Sequence, residues 1–335
     1  MPSLTRMGDG GVNCTEEDKL RKAVIFSFIP VSSRSMVAST RIASYLENEL
    51  QIPCIWDASI EKCDSLDFLF IVNGAFAFCG VLEELSVAIR GAKRIIWVQN
   101  DYTISPPIND GQAESPFRKA FVQRKAMGKS HLEYWTTCED NAKATPLSTY
   151  INWNSLSMLA KQLPSATFSE DVVYYGSYRK GREKYFDRYF DKPKCNTIIS
   201  SPSKKFAERY RDGLIKHQGA VPDLLKWLSE RGLGLYLEDR KSHREFHSPP
   251  NRFYEMLSAG LPMVFQEEAG MTLRKAGFNP EPYIVRNGLE LARKLDSRPK
   301  IKQEQKAWYT TALVERDGLS AKIKAAYKQL DGATL

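Results

Sequence analysis

Residues 171–183 read DVVYYGSYRKGRE. Val172, Val173, Tyr174 and Tyr175 form a short β-branched and aromatic run, which predicts a buried strand. Gly176-Ser177 ends it, and the basic stretch 179–190 opens a helix. A strand that passes through Gly-Ser into a helix start carrying Arg179, Lys180 and Arg182 suits a pyrophosphate. Gly176 lets the backbone come close, Ser177 offers a hydroxyl, the helix N-terminus points N–H groups at an anion, and guanidinium groups pair with its oxygens. A plain β-turn before a solvated basic helix has the same pattern, and this stretch alone does not separate the two.

The same alternation runs outward in both directions. Downstream, strands are predicted at 196–200, 233–237 and 261–265, and helices at 223–231, 251–259 and 289–295. A long amphipathic helix is predicted at 301–330. Upstream, strands are predicted at 22–30 (KAVIFSFIP), 52–56, 67–73 (DFLFIVN), 94–98 (RIIWV) and 134–138, with helices at 39–50 and 81–89. Continuous apolar strands alternating with helices are the pattern of parallel sheets covered on both faces. The expected fold is α/β, with two Rossmann-like domains facing a central cleft. Residues 1–21 are expected to be a disordered arm, 22–165 the first domain and 166–300 the second. Residues 301–335 are expected to form a helix packing back across both, and 153–169 reads as linker in part.

The chain has 335 residues, enough for two domains; its 42% apolar and 26% charged content is that of a globular protein. Six cysteines without a CxxC pair give no zinc ribbon or redox motif and fit reduced thiols in the cytoplasm. No apolar run reaches bilayer length, so a soluble protein with no membrane partner is expected. The formal charge of +8 admits a polyanionic partner but does not choose it. GxSxG, Walker A, GxGxxG and HExxH are absent, which moves serine hydrolases, P-loop ATPases, dinucleotide dehydrogenases and zincins out of the front rank. No metal-ligating set is visible.

Three further groups of residues carry chemistry. In 249–262 (PPNRFYEMLSAGLP), Arg252 and Glu255 are three apart on one helix face. A carboxylate there suits a ribose diol, and a surface ion pair fits the spacing equally well. Asp101, after the strand RIIWVQN, stands at a strand end, where a general base belongs and where turn aspartates are also common. The basic segment 117–131 carries Arg118, Lys119, Arg124, Lys125 and Lys129.

Taken together, these residues resemble the GT-B glycosyltransferases, and within them the DNA glucosyltransferases of T-even phages, over about 22–330 and in the same order. The stretch 67–80 resembles the family's third strand and Asn-containing loop, which brings in Asn73. The stretch 95–107 resembles the loop that holds the catalytic base, matching Asp101 beside Asn100. Residues 171–182 resemble the pyrophosphate loop, matching Gly176, Ser177 and Arg179, with Arg182 offset by one. GAVP at 219–222 resembles the uracil-contacting turn and brings in Val221. EDRK at 238–241 places Asp239 near the diphosphate, and Arg252 and Glu255 match the diphosphate and ribose ligands. Position 247, eight before Glu255, is His where many retaining members carry a second Glu, which favours inversion.

The resemblance implies transfer of glucose from UDP-glucose to the hydroxyl of a 5-hydroxymethylpyrimidine in duplex DNA, giving a β-glycoside. Asp101 is then the base. The basic segment faces DNA, from which the target base is flipped, and a divalent cation (Mg2+ or Mn2+) is compatible with the donor. The protein is expected to be a monomer in the cytoplasm (the host's, if viral). Two rival readings are a GT-B enzyme acting on a small molecule, lipid or polysaccharide, and a non-enzymatic DNA-binding protein on a Rossmann-like scaffold.

Overall fold

Every strand predicted from an apolar run lies in a parallel sheet of the computed structural model. The structure describes residues 23–28, 38–72, 82–99, 116–129, 131–144, 147–158, 169–238, 243 and 248–332. The expectation for residues 1–21 falls outside them.

The first sheet contains β1 (Ala23–Ser27), β2 (Cys54–Ile55), β3 (Phe68–Val72), β4 (Arg94–Gln99), β5 (Leu132–Thr136) and β6 (Ser148–Tyr150), in the order β2-β1-β3-β4-β5-β6. Its residues alternate between two cores. Phe68, Phe70 and Val72 of β3 join Ile96 and Val98 of β4 on one face. Leu69 and Ile71 join Ile95 and Trp97 on the other. Burial on both faces is why these strands read as unbroken apolar runs. The first face is covered by α1 (Ala38–Leu50), and the second by α2 (Leu82–Gly91) and α3 (Pro116–Ala126). A short helix α4 (Glu139–Ala144) joins β5 to β6.

The second sheet contains β7 (Val172–Tyr175), β8 (Thr197–Ser200), β9 (Ile215–Gln218), β10 (Leu233–Tyr236), β11 (Met263–Gln266) and β12 (Ile284–Val285), in the order β12-β11-β10-β7-β8-β9. This is the doubly wound dinucleotide-fold order, and its topological switch point lies between β7 and β10. The first sheet reverses between β1 and β3. The helices of this half are α5 (Glu183–Phe190), α6 (Lys205–Arg209), α7 (Leu224–Ser229), α8 (Asn251–Ser258), α9 (Gly270–Lys275) and α10 (Gly288–Leu295). At Gly234 of β10 a Cβ would lie 2.7 Å from the Met256 sulfur and 3.0 Å from Leu261 Cδ2, so a side chain there would force the Met256 and Leu261 side chains to shift.

Two expectations gain detail. Residues 153–157, in the stretch expected to be linker in part, form a 3-10 turn, Trp153–Ser157, whose five residues are all buried. Trp153 stacks on Trp135 with ring centroids 6.4 Å apart. The helix expected over 301–330 is two helices, α11 (Arg298–Asp317) and α12 (Leu319–Gly332), separated at Gly318. Ile301, Tyr309 and Ala312 of α11 join the second domain's core. Leu319, Ile323, Ala326 and Leu330 of α12 join the first domain's core. The chain thus crosses back at Gly318 to the first domain.

Candidate functional site

In doubly wound sheets, ligands bind outside the carboxyl ends of the strands at the switch point. Four of the predicted residues, Gly176, Arg182, Arg252 and Glu255, lie close to that point. Arg252, on the first turn of α8, donates from Nη1 to the Tyr175 carbonyl at 3.0 Å and to the Tyr174 hydroxyl at 3.2 Å, both at the end of β7. Its Nη2 pairs with Glu238, two residues past the end of β10. The guanidinium also lies over the Tyr174 ring, 5.6 Å from its centroid. Arg182, from the 3-10 turn that opens α5, pairs with the other oxygen of Glu238. One carboxylate therefore aligns two cations at the switch point.

Burial opposes the charge on Arg252, but Glu238, with Tyr174 and Tyr236, outweighs it and holds Arg252 above the ordinary arginine value. The two arginines differ in exposure. The Arg182 side chain is 4% exposed and that of Arg252 16%. Arg252 is therefore the one with surface left for a ligand, and Arg182 braces it through Glu238.

Gly176 is required where it stands. Its φ is +140°, a conformation that side chains rarely adopt, and a Cβ there would lie 2.9 Å from Arg252 Nη1. Ser177 and Arg179 follow it and are exposed. Val221 lies between β9 and α7 and is half-buried. Ser200 at the end of β8 holds the same turn by donating to the Gly219 carbonyl at 2.9 Å.

Glu255 sits one turn along α8, buried, with both carboxylate oxygens held. Tyr175 donates to Oε2 at 3.0 Å, and Arg41 Nη2 donates to Oε1 at 2.9 Å. Burial and the neighbouring Glu255 push the Tyr175 phenol well above its ordinary value, so it keeps its proton and donates. Arg41 comes from the first turn of α1, in the other domain, so the site spans the domain boundary. The buried 3-10 turn fastens the same boundary. Asn152 donates to the Tyr254 hydroxyl at 2.8 Å, and Asn154 to the Pro249 carbonyl at 3.0 Å.

The basic segment divides. Arg124 is 2% exposed, and its guanidinium donates to the carbonyls of Lys93 (2.6 Å), His131 (3.2 Å), Ile89 (3.3 Å) and Ala92. Lys129 Nζ donates to the carbonyls of Gly91 (3.1 Å) and Arg90 (3.3 Å) at the end of α2. The buried Arg124 is spent on the protein's own carbonyls, at the end of α2 and ahead of β4 and β5, which corrects its expected role as a DNA contact, while the half-buried Lys129 is bonded to the end of α2. Lys119 and Lys125 are exposed on α3. Arg118 lies on the first turn of α3, with its side chain outside the described residues. Asn73, Asn100, Asp101 and Asp239 are also outside them.

Sequence reasoning missed Arg41, Glu238, Tyr174 and Tyr175 as members of the site. The acidic pair at 238–239 was the one signal for Glu238. No local signal identifies Arg41, whose partner is 214 residues away. Among the described residues, no three His, Cys, Asp or Glu side chains converge on a cation site. None of the described helices is long and apolar enough to cross a membrane.

No family model matches the sequence, and none of the curated proteins matches it. Solved structures do match. Phage T4 BGT in complex with UDP and Mn2+ superimposes with a TM-score of 0.67 at 17% identity, over 92% of this chain and 98% of that one. A structure of the DNA-modifying enzyme β-glucosyltransferase, studied with and without uridine diphosphoglucose, gives 0.63 at 14% identity, over 92% and 99%. An α-glucosyltransferase in complex with UDP and a 13-mer DNA containing an HMU base gives 0.57 at 10% identity, over 93% and 99%. The two sheets, the return of the chain through α12 and these superpositions agree: the chain has the two-domain GT-B fold of the phage β-glucosyltransferase.

Proposed function

We propose that this chain is an inverting glycosyltransferase that moves glucose from UDP-glucose to the hydroxyl of a 5-hydroxymethylpyrimidine in duplex DNA. The observation that carries this is the pairing of Arg252 and Arg182 through Glu238 at the β7–β10 switch point, with Glu255 one turn away. A cation cluster followed by a carboxylate matches a diphosphate followed by a ribose diol. A fold shared with DNA glucosyltransferases supports the donor and the acceptor class. The charge of +8 supports a polyanionic acceptor.

In this reading, Arg252 and Arg179 bind the diphosphate, with Arg182 behind Arg252. The backbone past Gly176 approaches the phosphates, the Val221 turn meets the uracil, Asp239 lies near the diphosphate and Glu255 takes the ribose hydroxyls. Asp101, two residues past the end of β4, accepts the proton of the base's hydroxymethyl group. The freed oxygen attacks the anomeric carbon on the face opposite UDP, and the bond from that carbon to the UDP oxygen breaks. The charge that develops on UDP is met by the guanidinium groups, whose fixed orientation is the main catalytic contribution. The attack inverts the α-linked donor to a β-glycoside. Lys119, Lys125 and Arg118 on α3 contact DNA phosphates, Asn73 and Asn100 lie by the acceptor, and the target base is turned out of the stack to reach the cleft. A neighbouring structure is a complex with UDP and Mn2+. The described residues here supply no ligand set of their own, so no step is routed through a metal.

A second reading is retaining transfer, because an α-glucosyltransferase shares the fold. His at position 247 favours inversion, and the anomeric configuration of the product, read by proton NMR, decides between them. The primary test is Asp101→Asn. Turnover should fall by about a hundredfold to ten-thousandfold, the usual share of a general base, with UDP binding unchanged. Retained turnover would remove Asp101 from the mechanism, and absence of UDP binding in the parent protein would remove the enzyme reading.

A further inference from the structure

Arg41 stands on the first turn of α1, the helix that leaves β1 at the first sheet's own switch point. Its guanidinium bridges two groups. Nη2 donates to Glu255 Oε1 at 2.9 Å, and Nη1 donates to Ser157 Oγ at 2.6 Å. The Arg41 side chain is 18% exposed and that of Glu255 7%. Ser157 belongs to the buried turn that fastens the two domains, so Arg41 is anchored at one end by the boundary and aimed at the C-terminal domain at the other.

The arrangement matters because of what it does to the carboxylate. Tyr175 takes one oxygen of Glu255 from within the C-terminal domain, and Arg41 takes the other from the N-terminal domain. A carboxylate offers about four lone-pair positions, of which these two bonds use two. The remaining pair lies one on each oxygen, which is the pattern a vicinal diol fills with two O–H donors. Without Arg41, one oxygen loses its charged partner and the side chain its fixed rotation.

The geometry points to Arg41 as a positioning residue for ribose recognition: it sets the Glu255 carboxylate from the opposite domain, so that selection of a ribonucleotide over a deoxyribonucleotide donor depends on the two domains being in place. This rests on the reading of Glu255 as the ribose ligand. The identity of the nucleotide sugar is then checked at the boundary between the domains, where closure of the cleft is also felt.

The test is calorimetric titration of the full chain with UDP and with 2′-deoxy-UDP, which does not depend on the acceptor or on turnover. The parent protein should bind UDP at least about tenfold more tightly than 2′-deoxy-UDP, as expected for a hydrogen bond to a charged group. In Arg41→Ala that ratio should shrink to within about twofold, chiefly through weaker UDP binding. Arg41→Lys, which keeps one donor to Glu255, should fall between. Ser157→Ala, which removes only the anchor, should narrow the ratio less and provides a reading should Arg41→Ala not fold. An Arg41→Ala protein that binds both nucleotides more weakly but keeps the full ratio would make Arg41 an inter-domain brace alone and overturn the inference. A parent ratio near one would overturn it by removing Glu255 from the ribose while leaving UDP binding intact. Absence of UDP binding in the parent would overturn the proposed function itself, and the inference with it.

Discussion

Glu238, just past the end of β10, and Arg252, on the first turn of α8, are paired across the gap between β7 and β10. The same carboxylate holds Arg182, whose side chain is 4% exposed against 6% for Glu238. Two cations sharing one buried anion leave a net positive charge at the mouth of the sheet. In the proposed function this is an anion site prepared in advance, with its partners already desolvated. It also makes Glu238 a point of vulnerability, since its removal strands two guanidinium groups.

Glu238→Ala should therefore destabilise the fold by about 3–5 kcal/mol, the usual consequence of removing one partner of a buried pair. Urea unfolding measures it, with Glu230→Ala as a control. The Glu230 carboxylate is 48% exposed and 3.7 Å from Arg231, and its loss should matter little. A change at Glu238 no larger than the control's would show that the pair is not the keystone described here.

Gly176→Ala tests the loop proposed to bind the diphosphate. The substitution imposes a side chain at φ +140° and places a Cβ 2.9 Å from Arg252 Nη1. Arg252 must shift or the loop must rearrange. UDP affinity should drop by about tenfold or more, with a stability cost on the order of 1–3 kcal/mol for the strained backbone. Unchanged UDP affinity by calorimetry would contradict the placement of this loop against the diphosphate.

The two kinds of basic residue in and after α3 should separate cleanly. Replacing the exposed Lys119 and Lys125 with alanine should weaken DNA binding and make its log–log salt dependence shallower by about 1.8, near 0.9 for each phosphate no longer neutralised. Arg124→Ala should instead lower stability, because four carbonyls lose their donor. Burial already pushes Arg124 down to about 10, a sign of how dry its surroundings are. DNA titrations at several salt concentrations, alongside unfolding curves, check both. A salt slope that moves with Arg124 and not with the lysines would reverse the assignment.

His131 gives a pH dependence. Burial, then the charges of Arg94 and Arg124, holds its imidazole below the ordinary histidine value. Glu133 Oε2 is 3.9 Å away, too far to offset this by a hydrogen bond. The unfolded chain takes up the proton at the ordinary value while the folded chain resists it, so folding stability should fall as pH drops from about 7 to about 5. Glu133 is held above its ordinary value by burial and acts in the opposite sense as its own carboxylate takes up a proton. Comparison with His131→Gln isolates the histidine, since the variant should lose stability less steeply over this range. Parallel curves for the two proteins would show that His131 does not contribute.

What could be read from the amino-acid order follows from where each element lies. β3 and β4 are buried on both faces and spell out FLFIV and RIIWVQ, so nothing else fits them. The edge strands β6 (STY) and β9 (IKHQ) are half-exposed and carry no apolar run, so periodicity does not reveal them. The Trp153–Ser157 turn reads as linker because Asn154, Ser155 and Ser157 are polar, yet all three are buried. Asn154 and Ser157 are bonded to the second domain's α8 loop and to Arg41. In the candidate site, Gly176, Arg252 and Glu255 are legible as candidates from a strand end and one helix turn, although that spacing alone fits a turn and a surface ion pair as well. Arg41 is not, since its role exists only once two domains meet. Arg124 reads wrongly as a DNA contact because composition reports that a helix is basic but not which of its faces turns inward.

The most direct test is a UDP-release assay with UDP-glucose and three duplexes, carrying 5-hydroxymethylcytosine, 5-hydroxymethyluracil or only unmodified pyrimidines, followed by digestion and mass spectrometry of the nucleosides. The account predicts UDP release that requires a hydroxymethylated duplex and one hexose added to the modified base. UDP release that is indifferent to DNA, or salt-sensitive DNA binding with no release from any UDP-sugar, would contradict it.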